Sequence, residues 1–144
     1  MLIKIETLTP SEVLNLISTL DVGLASRLSE TLDLTEYSIK LAKHAHFIVY
    51  YIGSVRCGVI AFYENREHRE IYVPYLCTSS MCRRLGIAKS LMANLVCYAD
   101  SLMYKIRLEV LKINTPAIIL YKSNGFEICA ESDSKLSMIR RCKE

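Results

Sequence analysis

Apolar and polar residues alternate over Met1-Leu2-Ile3-Lys4-Ile5-Glu6, as they do along a strand. Thr9-Pro10-Ser11-Glu12 then reads as a helix start: Thr9 caps, Pro10 fits the first turn and Glu12 completes a capping box. Leu14, Ile17 and Leu20 follow at helical spacing. A second start, Asp33-Leu34-Thr35-Glu36, precedes Tyr37, Leu41 and Ala42 on one face. Residues 26–31, lying between the two, are polar and poorly periodic. Next come two strand-like runs, His46–Ile52 and residues 57–63, with Gly53 and Ser54 in the turn, which predicts a β-hairpin. Residues 64–69 are all polar and read as a loop. Glu70–Thr78 is a third strand run interrupted by Pro74. Proline removes a ladder hydrogen bond, so it marks an edge, a bulge or a strand start.

Residues 86–103 read as a helix with Ile87, Leu91, Leu95 and Leu102 near one stripe. Residues 106–111 form a strand, with Leu108 and Val110 on one face and Arg107 and Glu109 on the other. Thr115-Pro116 opens a short helix that Gly125 closes. Residues 126–131 and 135–141 read as two final strands. The predicted order is β-α-α-β-β-β-α-β-α-β-β. A strand–helix–strand unit running from Glu70 to Leu111 calls for a right-handed crossover between parallel strands, and the other neighbours pair as antiparallel hairpins. The expected fold class is α/β (mixed α+β): a central mixed sheet of six to seven strands, flanked on both faces by about four helices.

Length and composition narrow the classes. The 144 residues suit one domain spanning 1–144, and the 51% hydrophobic content supplies a full core. The opening residues lack the apolar stretch and cleavage site of a signal peptide, and no apolar run approaches the roughly 20 residues that span a bilayer. The expected location is the cytoplasm. A net charge of +3 without a clustered basic face does not suggest nucleic-acid binding. None of the six cysteines forms a C-x-x-C pair or clusters with histidine at zinc-ligand spacing, so no metal site is expected. They read as reduced, small hydrophobes.

The densest chemistry lies in Leu76-Cys77-Thr78-Ser79-Ser80-Met81-Cys82-Arg83-Arg84-Leu85-Gly86-Ile87-Ala88. A strand ends, a short loop follows, and a helix starts at an Arg-x-x-Gly-x-Ala element. A helix start offers unpaired N–H groups and a positive dipole end. Gly86 and Ala88 lack bulk, so a phosphate can approach the backbone. Arg83, Arg84 and Lys89 add positive charge. The pattern fits a diphosphate site, and it also fits an ordinary solvated helix start. A second segment lies downstream: Leu108-Glu109-Val110, then Asn114, Ala117, Tyr121 and Gly125-Phe126.

The two segments, in this order and spacing, resemble the GNAT superfamily of acetyl-coenzyme A-dependent N-acetyltransferases. The resemblance covers nearly the whole chain, and Arg83, Gly86 and Ala88 match the family's phosphate-loop pattern. It implies that the backbone of Leu76, Cys77 and Thr78 pairs with the pantetheine arm of acetyl-CoA. The N–H groups of Arg84, Leu85, Gly86, Ile87, Ala88 and Lys89 would hold the pyrophosphate. Asn114 would contact the cofactor or fix the adjacent loop. Tyr121 would protonate the departing thiolate, and Glu109 matches a carboxylate that is general base in some members. Cys82, Arg84 and Leu85 depart from the usual aromatic, glycine and basic residues of the loop, which should alter affinity more than role. A weaker resemblance, through Tyr37-x-x-Lys40-Leu41 and Phe62-Tyr63-x-Asn65, is to a bacterial subgroup.

The implied reaction is acetyl transfer from acetyl-CoA to a primary amine by direct attack in a ternary complex. An amine of the lysine kind, with pKa near 10.4, needs a base or a desolvated site before it can attack. Glu109, Glu70 and Glu64 are the candidate bases, each with an alternative reading as a surface carboxylate. A backbone N–H near Pro74 would stabilise the oxyanion. His44, His46 and His68 read as a helix end, a strand start and a loop. A non-catalytic acyl-CoA-binding module of the same fold is the alternative, against which Tyr121 argues. A nucleotide-binding protein is a further rival, but the chain lacks both Gly-x-x-x-x-Gly-Lys-Ser/Thr and Gly-x-Gly-x-x-Gly. The acceptor classes are an amino sugar, a small amine, an amino acid or a protein N-terminus. An edge strand or the terminal strands offer a route to a homodimer.

Overall fold

The computed structural model describes residues 2–20, 34–79, 82 and 85–142. Seven strands and four helices are described: β1 (Leu2–Glu6), α1 (Pro10–Leu20), α2 (Leu34–His44), β2 (His46–Ile52), β3 (Val55–Asn65), β4 (Glu70–Thr78), α3 (Ile87–Leu102), β5 (Lys105–Leu111), α4 (Thr115–Ser123), β6 (Glu127–Glu131) and β7 (Lys135–Arg140). The order is the predicted one. The strands form one mixed sheet in the order β1-β2-β3-β4-β5-β7-β6. The polar stretch at 26–31 lies outside the described residues.

Two compact units divide the chain, Met1–Phe62 with Tyr75–Leu91 and Tyr63–Pro74 with Met92–Glu144. In the first, α1 starts at the expected capping box. The Thr9 N–H donates to Glu12 Oε1 at 3.1 Å and the Glu12 N–H to Thr9 Oγ1 at 3.2 Å. Val13, Leu16, Ile17 and Leu20 form the buried face of this helix. β2 and β3 each bury consecutive residues, so both of their faces are covered. Their register runs from His46↔Phe62 to Ile52↔Val55 through one irregularity. Gly53, at φ +62, supplies the left-handed residue of the connecting turn.

The second unit holds the parallel pairing of β4 with β5, Glu70↔Lys105 to Val73↔Leu108. β7 lies between β5 and β6 and is antiparallel to both. β5 alternates as expected, with Ile106, Leu108 and Val110 buried and Arg107 and Glu109 exposed. Arg140 is buried, and donates to both Asp100 carboxylate oxygens at 2.8 and 3.0 Å and to the Asn124 carbonyl at 2.9 Å. These bonds satisfy a guanidinium that would otherwise be costly to bury.

Two expectations are corrected. Glu64 and Asn65 belong to β3 rather than to a loop, because Glu64 turns inward to accept the Tyr98 hydroxyl. Asn65 ends the strand by accepting the His68 N–H at 3.1 Å. Of the three readings open for Pro74, the interior position of β4 removes the edge and its place within the strand removes the start; proline stands directly after the last registered pair with β5, and the irregularity is the reading left. Leu102 is exposed at the last position of α3, where Met103 turns the chain at φ +60; Met92 and Ala99 are buried instead.

Candidate active site

The end of β4 leads into the predicted phosphate turn. Leu76, Cys77 and Thr78 are half-buried. The register of β4 with β5 stops at Val73↔Leu108, before these three residues. Beyond the strand, the Ser79 N–H donates to the Cys57 carbonyl at 2.8 Å and the Cys82 N–H to the Ser79 carbonyl at 3.0 Å. α3 then starts at Ile87, one residue later than expected, because Gly86 adopts φ +74. The Ser90 N–H closes the first helical turn on the Gly86 carbonyl at 2.9 Å.

A Cβ built on Gly86 would meet nothing within 4 Å, so the space over the helix start is open. The N–H groups of the first turn have no intrahelical acceptor. Leu85 and Lys89 are exposed, Ala88 is half-buried and Ile87 is buried. An open glycine at a helix N-terminus is the arrangement that a diphosphate needs. Arg83 and Arg84 lie outside the described residues.

Gly58 was not singled out from sequence, yet it sets this turn. A Cβ there would lie 2.7 Å from Ile87 Cγ2, 3.1 Å from Leu91 Cδ1 and 3.3 Å from Thr78 Cγ2. Only a residue without a side chain lets the start of α3 pack so closely on β3. The available signal was a glycine inside a strand run, which marks close backbone approach.

Glu109, Asn114 and Tyr121 all lie in the second unit. Glu109 is half-exposed on the polar face of β5, with Lys135 Nζ 3.9 Å from its Oε2. Tyr72 belongs to the same surroundings: burial raises its pKa above the ordinary value, and the Glu109 charge raises it further. Asn114 caps α4 by accepting the Ala117 N–H on Oδ1 at 3.3 Å.

Tyr121 is buried, at 7% exposure, and its ring centroid lies 5.7 Å from that of Phe126. Burial pushes its pKa up to about 12, because the phenolate would lose its hydration. Its backbone carbonyl accepts the N–H groups of Asn124 and Phe126 at 3.0 and 3.1 Å, which fixes the end of α4. The rival bases are engaged elsewhere. Glu70 pairs with Arg107 at 3.5 Å, and Glu64 is occupied by the Tyr98 hydroxyl and by Arg66 Nε at 3.5 Å. The His46 ring stands 5.6 Å from the Phe62 ring.

The model of the acetyltransferase (GNAT) family matches residues 13–126. The chain belongs to that family. Three solved structures show the same GNAT fold over nearly the full length. PaiA N-acetyltransferase from Thermoplasma acidophilum, in complex with coenzyme A, is 17% identical, with 98% of this chain and 99% of that one covered and a TM-score of 0.78. The ribosomal-protein-S18-alanine N-acetyltransferase from Escherichia coli is 13% identical, with 99% and 96% covered and a TM-score of 0.78. Ard1 from Thermoplasma volcanium is 22% identical, with both chains wholly covered and a TM-score of 0.76. No curated protein sequence matches the chain.

GNAT members use acetyl-CoA as the acetyl donor, and the open helix start at Gly86 fits the diphosphate of that molecule. Among the described residues, no group of three or more histidine, cysteine or acidic side chains is placed to hold a metal. All six cysteines are free thiols. No described helix is long and apolar enough to cross a membrane.

Proposed function

We propose that this GNAT chain is a single-domain N-acetyltransferase that joins the acetyl group of acetyl-CoA to a primary amine by direct attack. The observation that carries the reading is Gly86: a left-handed glycine over open space at the first turn of α3. The N–H groups from Arg84 to Lys89 hold the diphosphate, and the backbone of Leu76, Cys77 and Thr78 lies along the pantetheine arm. Bound acetyl-CoA supplies the activated acyl group.

The chain's own residues handle protons and position. Glu109 takes the proton from the acceptor ammonium, for which its half-exposed carboxylate and long contact to Lys135 leave it available. The Tyr121 hydroxyl donates a proton to the departing sulfur, and its burial keeps it protonated. Asn114 positions α4, and with it Tyr121. Bringing amine and acyl group together supplies a large part of the acceleration.

One solved relative, the ribosomal-protein-S18-alanine N-acetyltransferase, is named for an amine acceptor and supports an amine as the nucleophile. The acceptor classes remain an amino sugar, a small amine, an amino acid and a protein N-terminus. A panel of these amines, with acetyl-CoA and with thiol release as the readout, tests the proposal. Release above the rate of hydrolysis with at least one class is the expected result. Acetyl-CoA binding without any release would establish the non-catalytic binding module instead.

A further inference from the structure

The helix start at Gly86 accounts for the donor and leaves the acceptor open, and the polar face of β5 bears on that acceptor. All the residues concerned lie in the second compact unit. Arg107 and Glu109 alternate with buried Leu108 and so share one face of β5. Register carries that face to both neighbours: Tyr72 of β4 stands opposite Arg107, and Ser137 of β7 opposite Glu109. Two ion pairs cross the face diagonally, Arg107 Nη1 to Glu70 Oε1 at 3.5 Å and Lys135 Nζ to Glu109 Oε2 at 3.9 Å. Both are longer than a charge-assisted hydrogen bond of about 2.7–2.9 Å. The Arg107 and Glu109 side chains are each 47% exposed, so both charged ends keep room for a ligand.

Glu109 stands one position past Val73↔Leu108, the last registered pair of β4 with β5. Pro74, next along β4, has no N–H to continue the ladder. Tyr72 is half-buried, and among the described residues its hydroxyl has no hydrogen-bond partner. The register sets it beside Arg107 and diagonal to Glu109. Diagonal neighbours in a sheet lie about 7–8 Å apart, a span that an aromatic side chain covers. Burial raises the Tyr72 pKa, the Glu109 charge raises it further and the Arg107 charge lowers it, as befits a phenol between opposite charges. A cation, an anion and an unsatisfied hydroxyl thus share one patch.

We propose that the acceptor is a free amino acid, with its ammonium on Glu109 and its carboxylate on Arg107 and the Tyr72 hydroxyl. This rests on the proposed function and narrows its four acceptor classes to one. Residues two apart on a strand are about 7 Å apart, a separation that suits a compact zwitterion. The guanidinium presents its N–H donors in a planar fork that matches a carboxylate. A protein N-terminus brings a neutral amide to Arg107 and leaves its charge unused. An amino sugar has no anion to offer, and a diamine sets a second cation against the guanidinium. Arg107 and Tyr72 determine specificity, while Glu109 keeps its part in proton transfer.

The test compares a panel of amino acids with their carboxamides on the full chain. Thiol release from acetyl-CoA gives kcat/KM for each pair, and calorimetry on the CoA-saturated chain gives the affinity for each member. The preferred amino acid should exceed its carboxamide about tenfold or more in both readouts, the scale of a hydrogen bond between charged groups. Arg107→Gln should abolish that ratio through a rise in KM for the acid, and Tyr72→Phe should shrink it. Glu70→Gln removes the competing carboxylate and should hold or widen the ratio, whereas a role confined to the Arg107–Glu70 ion pair would make the Arg107 and Glu70 variants behave alike. Equal performance of acid and amide, a ratio that survives in Arg107→Gln, or one lost in Lys135→Gln instead would each overturn the proposal. Thiol release with other amines alone would also overturn it and leave the proposed function standing. Binding with the expected preference but no release with any amine would sink the proposed function and leave the amino-acid site.

Discussion

Tyr121 concentrates the chemistry in one side chain. Its hydroxyl is buried and its pKa lies at about 12, so it carries its proton throughout the working range of most enzymes. Tyr121→Phe removes one oxygen and keeps the contact with Phe126. General acids contribute on the order of 10²–10⁴-fold, and water partly substitutes, so turnover should fall at least about tenfold with acetyl-CoA affinity nearly unchanged. Steady-state kinetics beside calorimetry checks this, and normal turnover would remove Tyr121 from the mechanism. The same residue predicts an alkaline effect on stability. A folded pKa raised above the ordinary 10 contributes fully below pH 10, and the contribution is lost as pH rises toward 12. Two pH units correspond to about 2–3 kcal/mol at roughly 1.4 kcal/mol per unit. Denaturant melts at pH 9 and pH 11.5 should show a smaller alkaline loss in Tyr121→Phe than in the parent chain. At this scale, sequence reading singled out Tyr121, Glu109 and Asn114 because they sit at fixed offsets on one strand–loop–helix segment. It missed Gly58, whose importance depends on Ile87 and Leu91, thirty or so residues away along the chain.

At the scale of the element, local signals carried most of the reading. The capping box of α1 was legible because its four residues satisfy each other's backbone groups within one turn. Thr9→Ala should therefore cost about 1 kcal/mol in a denaturant melt. α3 gives the sharper prediction. Its start depends on Gly86 at φ +74, where an alanine Cβ meets open space but strains the backbone. Gly86→Ala should cost about 1 kcal/mol of stability and leave acetyl-CoA affinity within a few-fold. Gly86→Glu adds a negative charge and bulk where the diphosphate would lie, and binding should be lost while the fold survives. Calorimetry on both folded variants decides the site: unchanged affinity in Gly86→Glu would mean that the diphosphate lies elsewhere. The end of β3 was less legible. The run from Glu64 to Arg69 is polar throughout, and polarity alone reads as a loop. Glu64 stays in the strand because Tyr98, on a helix far along the chain, supplies its partner, and no local pattern announces such a pair.

At the scale of the whole molecule, the sequence indicated the element order and the parallel β4–β5 unit but not the placing of the last strand. β6 and β7 form the hairpin that adjacency suggests, yet it is β7 that pairs with β5, over Ile106↔Arg140 to Leu111↔Lys135. That choice places Arg140 in the core, where it meets Asp100 of α3 and the Asn124 carbonyl after α4. One guanidinium thus joins two helices to the penultimate strand of the sheet order, inside a single compact unit. Asp100→Ala leaves that cation at 6% exposure without its carboxylate. Breaking one partner of a buried pair costs about 3–5 kcal/mol, and the lower end applies here because Asp100 itself is partly exposed. Arg140→Leu removes the charge and should cost less than that at Asp100, leaving the Asn124 carbonyl to water. In the double variant the Asp100 substitution should add almost nothing, since no cation remains to be stranded. Chemical denaturation of the three variants gives the coupling directly. If Asp100→Ala and Arg140→Leu proved simply additive, the pair would be incidental, and the position of β7 would rest on its pairing with β5 and β6 and on the burial of Leu136, Met138 and Ile139.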